Sequence, residues 1–157
     1  MEYNISGIEA VFLALASDLA AEINDRKPVV TELVEFRQGT KFLMADAIPG
    51  TIKFTEKPKS SGKGVLYQPR LSFTLNRNDS DSEAFLSRYF KKNILVLLID
   101  NNGHAWIAGD QNNGLELSYV SDFGQASGKR NQVRVTVKAD TRNKTRRYTG
   151  QDIRTLL

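Results

Sequence analysis

The stretch ILVLLIDNNGHAWIA, residues 94–108, decides the fold class. Its first six residues are aliphatic without alternation, which is typical of a strand buried on both faces. The tetrapeptide DNNG, residues 100–103, follows, and its Asn and Gly residues accept the positive φ angles of a tight hairpin turn. Residues 104–108 then return as the partner strand. The stretch therefore predicts a central antiparallel hairpin.

Further strands are predicted on both sides of this hairpin. Residues 132–139 alternate between valines directed inward and polar residues directed outward. Shorter alternating or β-branched segments predict strands at residues 29–36, 41–45, 51–55, 65–67, 71–75 and 115–120. We therefore expect a mainly β fold of the α+β class, an antiparallel barrel or sandwich of about eight strands with one inserted helix.

That helix is predicted over residues 80–92. Ser80 and Glu83 have the spacing of a capping box, in which a hydroxyl and a carboxylate bind free amides of the first turn. Basic residues at its end suit the helix dipole. Its expected buried stripe consists of Phe85, Leu86, Tyr89 and Phe90.

The opening segment, residues 7–23, fits two structures. Six of its apolar residues share one helical face, and its alanines favour a helix. Residues 8–15 also fit a short buried strand. The periodicity leaves both open. The apolar residues on the helical face are Ile8, Val11, Phe12, Leu15, Leu19 and Ile23.

The composition excludes several classes of protein. The 157 residues contain no cysteine, which excludes disulfides, thiolate metal ligands and cysteine nucleophiles. The apolar runs are far shorter than the roughly 20 residues of a membrane-spanning helix. The residues after Met1 do not have the basic and apolar segments of a signal peptide. We therefore expect a soluble protein with no membrane partner.

The charge is distributed unevenly along the chain. Residues 129–157 contain nine basic and two acidic side chains, a net charge of +7. Since the whole chain has 22 basic and 18 acidic residues, the first 128 residues have 13 and 16, a net charge of −3. A positive end and a slightly negative body suit nucleic acid, or docking of one copy on the next.

Two polar loops and a C-terminal tail are the predicted contact regions. Residues 56–64 and 125–131 are polar, basic and contain glycine, which is typical of mobile loops. Apolar residues become rare after Asp140. We therefore expect a β-barrel domain over residues 1–140 and a basic tail over 141–157 that is mobile or ordered only on a partner.

No residue set indicates catalysis. His104 is the single histidine, and a place on a strand surface is favoured over a metal or catalytic role. Trp106 and Phe123 are expected in the core. Motifs of hydrolases, phosphate loops and dinucleotide sites are absent from the sequence. We therefore expect a protein that is not an enzyme and has no cofactor.

Two acidic sets have the alternate spacing of a calcium loop, but neither completes it. In the first, Asp79, Asp81 and Glu83 are followed by Ala84 where the loop needs Gly. The second set, within residues 110–121, has no closing carboxylate. Helix capping and turn formation explain these residues better than a metal ion, so no metal site is predicted.

Several segments occur in a recognisable order: ISGIEAVF at residues 5–12, a helix at 80–92, ILVLLIDNNG at 94–103, WIAG at 106–109 and GLEL at 114–117. In this order the chain resembles small virion proteins of tailed phages that infect Bacteroidetes. The resemblance implies the β-barrel with an inserted helix of tail-tube, tail-terminator and connector proteins. Copies of such barrels assemble edge to edge into rings, and long loops reach adjacent rings. It also implies that residues 8–15 form a strand.

The expected function is that of a structural virion component, in a ring of the neck or tail, assembled in the host cytoplasm. Its expected partners are copies of itself and other virion proteins. Subunit contacts are expected at Lys57, Lys59, Lys63, Lys129 and Arg130.

The alternative is a single-domain nucleic-acid-binding β-barrel that uses the basic strand 132–139 and the tail. Tyr148 is available there to stack on a base. The tail residues expected to contact DNA or an acidic partner are Arg142, Lys144, Arg146 and Arg147.

Overall fold

The computed structural model describes residues 7–21, 23, 29–30, 34–76, 79–109, 111–112, 114–123 and 132–149. Within them lie ten strands, one α-helix and one 3-10 turn. The helix α1 is Ser80–Tyr89 and the 3-10 turn is Ala16–Asp18. The strands are β1 (Ile8–Leu15), β2 (Val29–Val30), β3 (Leu43–Met44), β4 (Lys53–Ser61), β5 (Gly64–Leu75), β6 (Ile94–Asp100), β7 (Ala105–Ala108), β8 (Glu116–Asp122), β9 (Gln132–Lys138) and β10 (Arg146–Tyr148).

The strands form two sheets. A six-stranded sheet has the order β2-β10-β7-β6-β1-β3, and a four-stranded sheet has the order β4-β5-β9-β8. Neighbours are antiparallel except β10 and β2, which are parallel. The mainly β prediction is confirmed, and of its two architectures the structure has the sandwich rather than a closed barrel.

Strand β6 lies at the centre of the six-stranded sheet and is buried on both faces, as predicted. Ile94, Val96 and Leu98 belong to the core between the two sheets. Leu95 and Leu97 face a second apolar layer, in which Val34 and Phe42 pack on the far side of the sheet. Because both faces are buried, the strand has no polar alternation.

The predicted hairpin turn joins β6 to β7, and Asp100 organises it. Its Oδ1 accepts hydrogen bonds from the backbone amides of Asn102 and His104, each at 2.9 Å. Its Oδ2 accepts one from Trp106 Nε1 at 2.9 Å. Gly103 has φ +80°, the left-handed conformation that favours glycine. Burial alone would raise the pKa of Asp100, but these hydrogen bonds outweigh it and hold that pKa below its ordinary value.

Of the two structures that the opening segment fits, residues 8–15 form the strand, β1. Val11 and Leu13 face the core between the sheets, whereas Ala10, Phe12 and Ala14 face the second layer. A strand buried on both faces is apolar at nearly every position, and such a run also satisfies a helical stripe. The 3-10 turn follows directly, so the α-helix considered for residues 7–23 does not form.

Two predicted strands are much shorter in the structure. Of residues 29–36, only β2 is a strand, Phe36 makes an isolated bridge with Leu19, and residues 31–33 lie outside the described part. Of residues 41–45, only β3 is a strand. The segment around them packs instead as the second layer, where the Phe36 and Phe42 rings meet edge to face at 5.2 Å.

The prediction of a loop at residues 56–64 is wrong. Strand β4 continues through Ser61, and Gly62 and Lys63 form a two-residue turn into β5. Every residue from Lys53 to Ser61 has a partner on β5. The segment is polar because it is exposed on both faces, and pattern reading assigns such a segment to a loop.

Helix α1 is shorter than predicted and has a different cap. Asp79, not Ser80, is the N-cap, and its Oδ1 accepts a hydrogen bond from the Ser82 amide at 3.0 Å. The helix ends at Tyr89, three residues before the predicted end, and Lys91 has φ +53°. Burial raises the pKa of Tyr89, whose hydroxyl donates to the Leu13 carbonyl at 3.2 Å.

The predicted domain boundary at residue 140 is also corrected. Thr141 and Tyr67 exchange two backbone hydrogen bonds of 2.8 Å each. Strand β10 then enters the six-stranded sheet between β2 and β7. Residues 141–149 therefore belong to the folded domain, while residues 150–157 lie outside the described part.

Candidate assembly interface

Strand β8 is an edge strand of the four-stranded sheet, and half of its edge has no partner in the part of the chain that the structure describes. Its first part is covered, because the Lys91 amide donates to the Leu117 carbonyl at 3.2 Å. That bond shows that Leu117 directs its backbone groups away from β9, and strand geometry directs those of Tyr119 and Ser121 the same way. Among the described residues the outward backbone groups of Tyr119 and Ser121 have no hydrogen-bond partner. The edge from Ser118 to Ser121 is therefore available for pairing.

Exposed apolar side chains surround this open edge. Val120 and Phe123 are 67% and 70% exposed. The rings of Phe90 and Tyr119, both partly exposed, meet edge to face at 5.4 Å. Apolar and aromatic side chains grouped beside unpaired backbone are typical of a surface that another chain covers. We call Phe90, Tyr119, Val120 and Phe123 the edge patch.

Sequence reasoning missed the edge patch. Phe90 was expected in the buried stripe of the helix, Phe123 was expected in the core, and both expectations are wrong. Trp106, by contrast, does pack partly buried against the core. The available signal was the pair Tyr119 and Val120, which places apolar residues on both faces of a strand that otherwise alternates.

The opposite edge of the same sheet is strand β4, and its character differs. It carries Lys53, Lys57 and Lys59, and it includes Pro58, which has no amide hydrogen and is tolerated on edge strands. Lysine side chains and a proline on an edge strand disfavour its pairing with the edges of unrelated chains. Strand β8 carries Glu116 and Asp122. The two edge strands of this sheet, which end it among the described residues, are therefore of opposite charge.

The predicted subunit contacts Lys57, Lys59 and Lys63 lie together on the outer half of the β4–β5 hairpin. This half, residues 57–68, we call the arm. Residues 57–65 are exposed, and the arm is tied to the body by the Tyr67–Thr141 bridge and by a hydrogen bond of 3.0 Å from Gln68 Nε2 to Asp140 Oδ1. The other two predicted contacts, Lys129 and Arg130, lie outside the described residues.

The residues of the tail that were predicted to make contacts differ in exposure in the structure. Arg142 and Lys144 are exposed, and Arg147 is half-buried. Arg146 is only 6% exposed, on β10 opposite Ile107, so its assignment as a contact for DNA or an acidic partner is corrected. Tyr148 is 3% exposed, which also removes it as a stacking platform. Burial raises its pKa, against a hydrogen bond involving the Val34 backbone.

Glu56 fixes the tail to the hairpin, and its removal gives a testable loss. Its Oε2 accepts hydrogen bonds from Thr145 N at 2.9 Å and from Thr145 Oγ1 at 2.6 Å. The variant Glu56→Ala is expected to lower the free energy of unfolding by about 1–3 kcal/mol and to speed hydrogen exchange at the Thr145 amide. Glu83→Ala, at an exposed helix position, is the control. Unchanged exchange at Thr145 in Glu56→Ala would contradict this assignment.

The remaining candidate chemistry is sparse in the described residues. They contain no group of three or more side chains able to hold a metal ion. His104 lies at the hairpin surface, with Nδ1 3.8 Å from Asp100 Oδ2. A groove of about 660 Å³ crosses the solvent side of the four-stranded sheet, and its lining includes the cations Lys57, Arg70 and Lys138 and the carboxylates Glu116 and Asp140.

Comparison of the chain with protein-family models, with curated proteins and with solved structures finds no match. None of the described helices has the length and apolar character needed to cross a membrane.

Proposed function

We propose that the protein is a structural, non-enzymatic subunit of a tailed-phage particle, which forms or joins a ring in the neck or tail. Its partners are copies of itself and other virion proteins, and it is assembled in the host cytoplasm. One observation carries the proposal: among the described residues the four-stranded sheet ends in two edge strands of opposite charge, and one of them is surrounded by the edge patch.

The strand directions of the sheet allow head-to-tail pairing of these edges between copies. The sheet has four antiparallel strands, so β8 of one copy and β4 of the next would also run antiparallel. Such a heterologous contact closes into a ring when the rotation between copies divides a full turn. The acidic residues of β8 would then lie near the lysines of β4, and the edge patch would become buried.

The order of sequence elements also supports the proposal. The chain resembles small virion proteins of tailed phages in its opening strand, its helix before the central hairpin and its GLEL segment. In such proteins, long loops reach the adjacent ring. The arm, with Lys57, Lys59 and Lys63, is the segment of this chain suited to that role.

The first test is the mass of the protein in solution. Wild type is expected to form oligomers at high concentration, and Val120→Glu is expected to weaken their association by at least about 100-fold, since it places a charge in a desolvated interface. Met44→Glu is the matched control, because Met44 is 63% exposed on the edge strand of the other sheet. Light scattering after size exclusion gives the masses. A strictly monomeric wild type, together with no binding to sibling tail proteins, would refute the proposal.

The second test identifies the paired edges. A carbodiimide joins a carboxylate to a lysine without a spacer, and it is expected to link Glu116 or Asp122 of one copy to Lys53 or Lys57 of another. Within one chain, β8 and β4 are three strand spacings apart, about 14 Å, which is too far for this reagent. Mixed isotope-labelled and unlabelled protein identifies links between copies by mass spectrometry. Links confined to other surfaces would exclude this pairing.

The third test is the identity of the neighbouring genes. Portal or tape-measure genes beside the gene for this protein would support the proposal, and a neighbourhood of metabolic genes would contradict it.

A further inference from the structure

The solvent side of the four-stranded sheet, which we call the outer face, concentrates positive charge. Alternate residues of β5, β8 and β9 point into the core, among them Phe73, Leu117 and Val135. Their neighbours along each strand point to solvent, and strand register extends this face to β4. Its cations are Lys53, Lys57, Lys59, Arg70, Arg134 and Lys138, and its carboxylates are Glu116, Asp122 and Asp140.

This concentration accounts for most of the net charge of the whole chain. The chain has 22 basic and 18 acidic side chains, a net charge of +4. The outer face has six and three, a net charge of +3, so the rest of the chain sums to +1. Two of the three carboxylates lie on β8, at one margin of the face. The positive potential is therefore directed to one side of the molecule.

Among the described residues, ion pairs do not neutralise the positive charge of the outer face. Arg134 Nη2 lies 3.8 Å from Asp122 Oδ2, with both side chains more than half exposed, and such a pair is weak. Among the described residues, Arg70 and Lys138 make no ion pair. These two are neighbours in register and line the groove together with Lys57.

The other side chains of the outer face indicate what kind of anion fits. They are mostly Ser, Thr and Gln, which donate hydrogen bonds to phosphate oxygens, and none is aromatic. Without rings to stack on bases, the face suits backbone phosphates rather than unstacked single strands. Arg134 and Lys138 are four residues apart on β9, about 13 Å, so the charge is spread along the strand as well as across the sheet.

We propose that the outer face binds the phosphate backbone of duplex DNA without reading its sequence. This contact uses the middle of the sheet rather than the basic tail. The DNA contact does not depend on ring formation. Pairing at the edges of the sheet leaves the outer face exposed, so the contact is possible with or without a ring.

The test is binding of a fluorescent 30-base-pair duplex, followed by anisotropy at several salt concentrations. Contacts with six phosphates give a plot of log K against log salt with a slope of about −5. The triple variant Arg70→Gln, Arg134→Gln, Lys138→Gln is expected to reduce the magnitude of that slope by about 2.7, and Lys57→Gln alone by about 0.9. Circular dichroism establishes that each variant is folded.

A charge-matched control separates the outer face from net charge in general. Lys41→Gln, Lys92→Gln and Lys144→Gln remove the same three charges at exposed positions outside the face, and they are expected to leave the slope unchanged. The proposal is overturned if this control loses as much as the outer-face variant, if the outer-face variants bind like wild type, or if a single strand of equal length binds more tightly than the duplex. These outcomes do not depend on whether the protein forms rings.

Discussion

Substituting Phe42→Ala is expected to lower the free energy of unfolding by about 3–5 kcal/mol. Phe42 is 2% exposed and lies in the second apolar layer, on the side of the six-stranded sheet that faces away from the other sheet. Its removal leaves a cavity in the layer that also contains Leu95 and Leu97, and it ends the edge-to-face contact with Phe36. Urea unfolding, followed by fluorescence, measures the loss.

Met44→Ala is the control for this substitution. Met44 is two residues away but 63% exposed, so its truncation is expected to change stability by less than about 0.5 kcal/mol. Equal losses for the two variants would mean that the second layer is not packed as described.

The variant Asp100→Ala is expected to lose about 2–3 kcal/mol of stability at pH 7, because the Trp106 indole and two turn amides lose their charged acceptor. The loss should depend on pH. The pKa of Asp100 is below its ordinary value in the folded protein, so its stabilising contribution is present above the unfolded pKa of about 3.9. That contribution is lost as the pH falls through the folded pKa.

The stability difference between wild type and Asp100→Ala should therefore narrow below pH 4. Urea unfolding at pH 7, 5 and 3 measures it, and Asp122→Ala, at a carboxylate more than half exposed, serves as the control. A difference that stays constant between pH 7 and pH 3 would show that the carboxylate charge does not stabilise the turn.

The sequence predicted best those strands whose two faces have clear environments. Strand β9 alternates because one face is in the core and the other in solvent, and β6 is uniformly aliphatic because both faces are buried. Strand β1 is also buried on both faces, but its alanines gave it a helical pattern as well. Periodicity alone did not decide between the two.

The segments that were predicted wrongly depend on partners far along the chain. Residues 56–61 are polar on both faces, and only their register with β5 makes them a strand. The tail from Thr141 is held by Tyr67 and Glu56, more than 70 residues earlier in the chain. Local composition does not contain such pairings, so both segments were assigned to loops or tails.

The subunit contacts at Lys57, Lys59 and Lys63 stay a prediction. Their positive charge is visible in the sequence, and the structure places them together on the arm. The edge patch was not predicted, because aromatic residues near a helix or strand normally enter the core. Only the three-dimensional position of Phe90 and Tyr119 at an open edge reveals their exposure.

The order of the six-stranded sheet also bears on synthesis of the protein. Strand β2 joins that sheet only through β10, among the described strands, although more than 110 residues separate them in the chain. A nascent chain must therefore emerge from the ribosome through residue 148 before β2 and β7 acquire their shared neighbour. Until then the apolar margin of β7 stays uncovered, so completion of this sheet is a late step of folding, during which the nascent protein is most vulnerable to misassociation.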